Sequence, residues 1–163
     1  MRIAIGSDRS GFALKEALKA HLAGRGVEVE DLGLREADGF MAYYEVAPLV
    51  ARAVQSGRAQ RGVLVCGTGA GMCIAANKFA GVHAVAAESV YTAARAWIVN
   101  RANVLCLGGW VVAPEKARTM LEAWLDTEFG AGFDAERVAF LERARGEVGR
   151  IESEHFKPLE VRT

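Results

Sequence analysis

The stretch Gly62-Val63-Leu64-Val65-Cys66-Gly67-Thr68-Gly69-Ala70-Gly71-Met72 joins a short apolar run to a glycine-rich turn and then to the start of a helical pattern. A run of that kind, bounded by turn residues, reads as a strand buried on both faces. A strand leading through glycines into a helix is half of a βαβ unit, the building block of a parallel sheet. The same alternation recurs on either side. Upstream, residues 2–6 form a first strand ending at Ser7-Asp8. Leu14, Leu18 and Leu22 then share one helical face, with Gly24 and Gly26 available to stop the helix. A second strand is expected over 27–32 and a second helix over 42–55. Downstream come a helix over 71–79, strands over 82–87 and 104–107 around a helix at 90–99, and a helix opened by Pro114 that runs to residue 129. A last helix over 135–151 carries Val138, Leu141, Val148 and Ile151 on one apolar face, suited either to close the edge of its own sheet or to pack on another subunit. Residues 152–163 read as an extended tail with no assigned function.

The expected fold is therefore α/β: a three-layer, doubly wound, five-stranded parallel sheet of the Rossmann-like or flavodoxin-like kind, with strand order 2-1-3-4-5 and an extra C-terminal helix. The 163 residues suit one domain, placed at 1–151 with the tail after it. Twenty basic residues balance twenty acidic ones and are scattered, which argues against nucleic-acid or membrane partners. No apolar run is long enough for a membrane span or a signal-peptide core, so a cytoplasmic protein is expected. The three cysteines lack the close pairs of a zinc site, and neither disulfides, a metal nor a cofactor is expected.

In a doubly wound sheet, ligands bind where the connections reverse direction, at the carboxyl ends of the first and third strands. Those ends carry Ser7-Asp8-Arg9 and Cys66-Gly67-Thr68. The glycines of 66–72 let backbone N–H groups approach a ligand closely, and the helix behind them adds its own donors. A thiol among such donors is suited to act as base or nucleophile. The alternative is a buried, inert Cys66 in a loop where glycine serves only the turn; for Cys73 and Cys106, inside a helix and a strand, the inert reading takes nearly all the weight. The spacing is neither that of a P-loop nor that of a dinucleotide fingerprint. A phosphatase-type cysteine would need a guanidinium where Met72 stands. Proton abstraction beside a carbonyl remains, with Cys66 as base, the loop N–H groups holding the enediolate, Thr68 relaying a proton between oxygens and Asp8 orienting a sugar hydroxyl or helping to open its ring. Asp8 equally suits helix capping.

At these residues the chain resembles the ribose-5-phosphate isomerase B / lactose-pathway galactose-6-phosphate isomerase family, from residue 1 to about 141. Gly6-Ser7-Asp8-Arg9-Ser10-Gly11 is similar to the family's opening Gly-Ser-Asp-His-Ala-Gly. The segment 66–72 with Ala76-Asn77-Lys78 is close to its signature, and Asn100-Arg101-Ala102-Asn103-Val104-Leu105 resembles its Asn-Asp-Ala-Asn-Val-Leu. The resemblance implies a metal-free aldose–ketose isomerase working through an enediolate on a ribose 5-phosphate-like sugar phosphate. It also implies a homodimer or tetramer with active sites shared between subunits. By position it makes Cys66 the base, Thr68 the relay, Gly67, Gly69 and Gly71 the anion hole, Asp8 a sugar ligand and Asn100 a contact to the enediolate.

The departures matter as much. Family histidines fall at Arg9, Val99 and Asp134, so imidazole help in ring opening is missing. Phosphate-holding arginines fall at Trp110 and Phe133, leaving Arg137 in place, with Arg9 able to replace only part of the charge. Trp110 and Phe133 suit stacking on a sugar's apolar face. The family's Asp-Tyr-Pro-Asp stretch corresponds to Ala42-Tyr43-Tyr44-Glu45, which brings Tyr43 beside the ligand. His21, His83 and His155 match no family histidine and read as structural or solvated. These changes open two alternatives, an unphosphorylated or different sugar and a weakly catalytic partner subunit of a mixed oligomer; a third, a small-anion or flavin-phosphate binder using the same loop, comes from the phosphate sites of flavodoxin-like folds.

Overall fold

The computed structural model describes residues 1–156. Its elements alternate as expected: β1 (Arg2–Ser7), α1 (Phe12–Gly24), β2 (Glu28–Asp31), α2 (Tyr43–Gln55), β3 (Arg61–Cys66), α3 (Ala70–Ala76), β4 (Ala84–Ala86), α4 (Val90–Asn100), β5 (Val104–Gly108), α5 (Pro114–Leu125) and α6 (Ala135–His155). Helix starts follow local chemistry. The Glu45 carboxylate accepts from the Ala42 N–H at 2.8 Å, the Ser89 hydroxyl from the Thr92 N–H at 3.0 Å, and Asp134 from the Arg137 N–H at 2.8 Å. Helix α5 stops at Leu125, short of residue 129, where the Thr127 hydroxyl donates instead to the Ala123 carbonyl at 2.9 Å.

All five strands are parallel, but their order is 2-1-3-5-4, with the last two exchanged relative to expectation. The reason is burial. A strand between two others needs apolar side chains on both faces, and every residue of β5 is buried. The three-residue β4 ends on an exposed alanine and suits the edge.

Strand alternation sorts the core into two layers. Ile3, Ile5, Val63, Val65, Leu105 and Leu107 pack with the helices α1, α4 and α5. Ala4, Leu64, Cys66, Val104 and Cys106 pack with α2 and α3 on the other face. In the first layer the buried Arg61 guanidinium lies 3.4 Å from the Trp97 ring centroid and 5.0 Å from that of Trp124, and donates to the Trp124 carbonyl at 2.6 Å. Burial pulls Arg61 down to about 10.

Helix α6 buries only Leu141. It also runs to His155, where an extended tail was expected from 152. Ion pairs from Arg150 to Glu147 and Glu154 support this last part, and no proline interrupts the sequence between 114 and 158. The remainder of the expected tail lies outside the described residues. No described helix is long and apolar enough to cross a membrane.

One buried ion pair fastens β2 to α1. Lys15 is fully buried, with Nζ 2.8 Å from Asp31 Oδ2 and donating to the Leu34 carbonyl; Lys19 reaches the same Asp31 oxygen at 2.8 Å. Burial pushes Asp31 up, but the hydrogen bonds from Lys15 and Lys19 outweigh it and hold the carboxylate below its ordinary range. A folded value below the unfolded one adds stability that is complete above the unfolded pKa and is lost as pH falls through the folded one. Asp31→Asn is therefore less stable than the wild type at pH 7, with a deficit that shrinks on acidification below about pH 4. Urea unfolding of both proteins between pH 7 and 3 measures this, and a constant deficit contradicts it.

Candidate active site

The alternation along β3 that points Val63 and Val65 toward α1 and α5 turns Cys66 to the α2–α3 side, at the strand's carboxyl end. Cys66 is 6% exposed, whereas Cys106, two residues short of the end of β5, is completely enclosed. Beyond Cys66 the chain reverses. Gly69, at φ +83, brings its N–H back to donate to Cys66 Sγ at 3.1 Å. A side chain is disfavoured there twice over, by the left-handed φ and because a Cβ would lie 3.1 Å from the Leu107 carbonyl carbon, which would have to give way slightly. Thr68 is exposed beside the thiol, its hydroxyl accepting from the Ala70 N–H at 3.4 Å.

Two neighbouring turns close on this loop. In the first, the amino end of α1 abuts the end of β3 so tightly that a Cβ on Gly11 would sit 2.3 Å from the Val65 carbonyl oxygen. This contact sets Asp8 across from β3. One carboxylate oxygen of Asp8 accepts from the Gly11 N–H at 3.1 Å, so the side chain does organise the turn. Burial pushes Asp8 above its ordinary range, against the lowering effect of the Gly11 and Ser10 N–H groups. Arg9 is exposed on the same turn. In the second, the Gly109 N–H donates to the Cys66 carbonyl at 2.7 Å and the Trp110 N–H to the Gly67 carbonyl at 3.0 Å. The Trp110 indole thereby lies on Gly67, where a Cβ would meet it at 2.7 Å, and the Tyr43 ring lies on Gly71, at 3.0 Å from the corresponding position. Two aromatic rings thus flank the loop.

Asn100, Phe133 and Arg137 are not in this group. Asn100 ends α4 just before β5, which begins level with Gly62; Cys66 is level with Gly108 at the other end. Asn100 and Arg137 instead line a cavity of about 520 Å³ with Val99, Asn77 and Phe140. His83, which the sequence offered only as structural or solvated, lines it too. The expected site residues therefore form two clusters at opposite ends of the sheet, one around Cys66 and one around Asn100 and Arg137. Cys73, expected to be inert, sits near this cavity beside Asn77. Its thiol is drawn down to about 7 by a hydrogen bond with Cys106, assisted by the Ala86 N–H and Asn77 against the opposing effect of burial, while burial pushes Cys106 up. Cys73 nevertheless faces the sheet, donating to the Ala84 carbonyl at 3.2 Å.

A sequence model for ribose/galactose isomerases matches residues 3–141. The chain belongs to the ribose/galactose isomerase family. It is an enzyme, an aldose–ketose isomerase. It is 43% identical over 157 residues to 4-deoxy-4-sulfo-D-erythrose isomerase of Clostridium sp. (strain MSTE9), covering 96% of this chain and 99% of that protein. It is 41% identical over 138 residues to D-erythrulose-4-phosphate isomerase of Pectobacterium atrosepticum, covering 85% and 91%. Ribose-5-phosphate isomerase B of Clostridium thermocellum superposes with a TM-score of 0.87 at 37% identity, covering 95% and 99% of the two chains.

The Gly69 geometry yields a paired prediction. Gly81 has nearly the same φ, +75, but open space around it. Gly81→Ala costs about 1–2 kcal/mol from the left-handed backbone alone. Gly69→Ala costs more and also removes isomerase activity, because the Leu107 backbone has to move and the N–H leaves Cys66. Urea denaturation of both variants and one activity assay check the pair; equal costs with activity retained contradict it.

Proposed function

We propose that the chain interconverts the aldose and ketose forms of a four-carbon sugar with an anionic group at C4, a sulfonate or a phosphate, using Cys66 as the base. The observation that carries this reading is the Cys66 sulfur beneath the Gly69 N–H, at the carboxyl end of the neighbouring strands β1 and β3. The thiolate takes the proton from C2 of the aldose. The electron pair moves to the carbonyl oxygen, and the loop N–H groups hold the resulting enediolate. Thr68 shuttles a hydroxyl proton between O2 and O1, and the Cys66 proton returns to C1 to give the ketose. Asp8 orients the remaining hydroxyls. No electrons leave the substrate, so the step calls for no outside oxidant.

The chain length of the substrate follows from what is missing. A pentose 5-phosphate closes a furanose ring through its free C4 hydroxyl and has to be opened before a proton can be removed. A tetrose whose C4 carries sulfonate or phosphate has no hydroxyl there and stays open. An enzyme for such a sugar needs no imidazole for ring opening, in agreement with Arg9, Val99 and Asp134 at the family's histidine positions. Trp110 and Tyr43, pressed on Gly67 and Gly71, narrow the mouth toward a short substrate. The names of the two relatives, one acting on a sulfonated and one on a phosphorylated tetrose, support the same class.

The catalytic unit in this reading is a pair of chains. Asn100 and Arg137 stand at the wrong end of the sheet to reach Cys66 of their own chain, and a second copy supplies them. Helix α6 leaves Phe140, Val148 and Ile151 about half exposed for that contact.

Deuterium exchange at the carbon beside the carbonyl tests the proposal on erythrose 4-phosphate, 4-deoxy-4-sulfoerythrose and ribose 5-phosphate. Exchange is expected to be faster with both tetroses than with the pentose, and to fall at least about a hundredfold in Cys66→Ala and Cys66→Ser. Near-normal exchange in both variants removes Cys66 from the mechanism; preference for the pentose removes the tetrose assignment.

A further inference from the structure

On α4 and the start of α6, cationic and aromatic side chains alternate. The Arg95 guanidinium lies 5.2 Å from the Tyr91 ring centroid and 5.1 Å from that of Phe133. Arg137 lies 5.8 Å from the same Phe133 ring and 4.8 Å from Phe140. One ring thus holds two guanidinium groups near it. Several neighbouring arginines are neutralised locally: Arg101, just after α4, and Arg145 both pair with Glu142, and Arg150 pairs with Glu147 and Glu154. Among the described residues neither Arg95 nor Arg137 has a carboxylate at ion-pair distance. The two acidic residues close to Arg137 in sequence do not pair with its guanidinium: Glu136 makes no ion pair with it, and Asp134 accepts from the Arg137 backbone N–H as the cap of α6. Two like charges gathered without a counter-ion repel each other, and a bound anion relieves that repulsion. Guanidinium forks match the oxygen geometry of sulfonate and phosphate.

The position is also suitable. Residues 91, 95 and 99 fall on one face of α4 at successive turns. Val99, at the foot of that face, lines the cavity with Asn100 and Arg137. Arg95 therefore stands one helical turn from a residue of the cavity wall, with the Phe133 ring as a neighbour that it shares with Arg137.

We propose that Arg95, together with Arg137, binds the anionic end of the substrate, with Phe133 spacing the two guanidiniums, and that Arg95 determines the enzyme's preference for a charged over a neutral tetrose. This rests on the isomerase reading above, with the cavity of one chain facing Cys66 of the other. Arg95 does not touch the reacting carbons, so its replacement acts on KM rather than on kcat.

The experiment compares Arg95→Leu and Arg95→Lys with the wild type on erythrose 4-phosphate and on 4-deoxyerythrose, which also stays open but carries no charge. Arg95→Leu is expected to raise KM for erythrose 4-phosphate by about tenfold or more, the scale of one lost charge-assisted hydrogen bond, with kcat little changed. Its kcat/KM for 4-deoxyerythrose stays at the wild-type value, and Arg95→Lys recovers part of the loss. A direct binding measurement runs in parallel: inorganic sulfate raises the melting temperature of the wild type and of Cys66→Ala, but not of Arg95→Leu. Equal losses on both substrates, no loss on either, or unchanged sulfate stabilisation in Arg95→Leu overturns the proposal. If the wild type isomerises none of the sugars, the isomerase reading fails, and the sulfate measurement alone decides whether Arg95 holds an anion.

Discussion

The contact on which the rest depends is the meeting of two backbones, the amino end of α1 against the carboxyl end of β3. Gly11 lies so close to the Val65 carbonyl that even a methyl group would have no room. The consequence reaches both ways along the chain. Asp8, three residues before Gly11, is drawn beside the strand that ends in Cys66, and its carboxylate is committed to the turn through the Gly11 N–H. On the other side of β3, the Gly109 and Trp110 N–H groups bond to the carbonyls of Cys66 and Gly67. Three loops from distant parts of the sequence are thereby locked into one rim by backbone hydrogen bonds and close approach, with little call on long side chains. Backbone contacts of this kind fix the relative positions of the three loops, as the proton transfer proposed for Cys66 would require.

Much of the fold was legible because its signals are local. The apolar runs at 2–6 and 62–66 and the spacing of Leu14, Leu18 and Leu22 each identify an element without reference to its neighbours. Strand order is not local. Two short strands, 82–87 and 104–107, read alike as apolar runs, and only the demand that a central strand be buried on both faces separates the all-buried β5 from the edge strand β4. The end of α6 was missed for a related reason. Charged residues at 152–155 look like a tail, but in the helix Glu154 pairs with Arg150 one turn back and Glu152 accepts from the Gly81 N–H.

The candidate site divides in the same way. The loop 66–72 carries its chemistry in its glycines and its thiol, and the structure brings Thr68, Trp110, Tyr43 and Asp8 around it. That Asn100 and Arg137 stand at the other end of the sheet could not be read from spacing, since it depends on the direction in which α4 returns to β5. His83 and Arg95 gave no sequence signal at all. Each acquires meaning from what lies across from it, a cavity wall in one case and the Phe133 ring in the other.

Phe133 shows how an apparent loss of function can be a relocation of charge. At the position where the family resemblance leads one to expect a phosphate-holding arginine, this chain has an aromatic ring, and by composition alone the anion site is weakened. In the folded chain that ring is the surface on which Arg95, from a different helix, comes to rest beside Arg137. A guanidinium held against a ring gives up little of its charge, because the attraction of the ring's face leaves the N–H edges free to bind. In the proposal above, moving the cation from the turn before α6 to α4, with the ring beside both arginines, shifts the anion relative to Asn100. The proposed four-carbon substrate calls for a change of that kind: with its reacting carbons at the thiol, as in a pentose, its charged end would lie further inward.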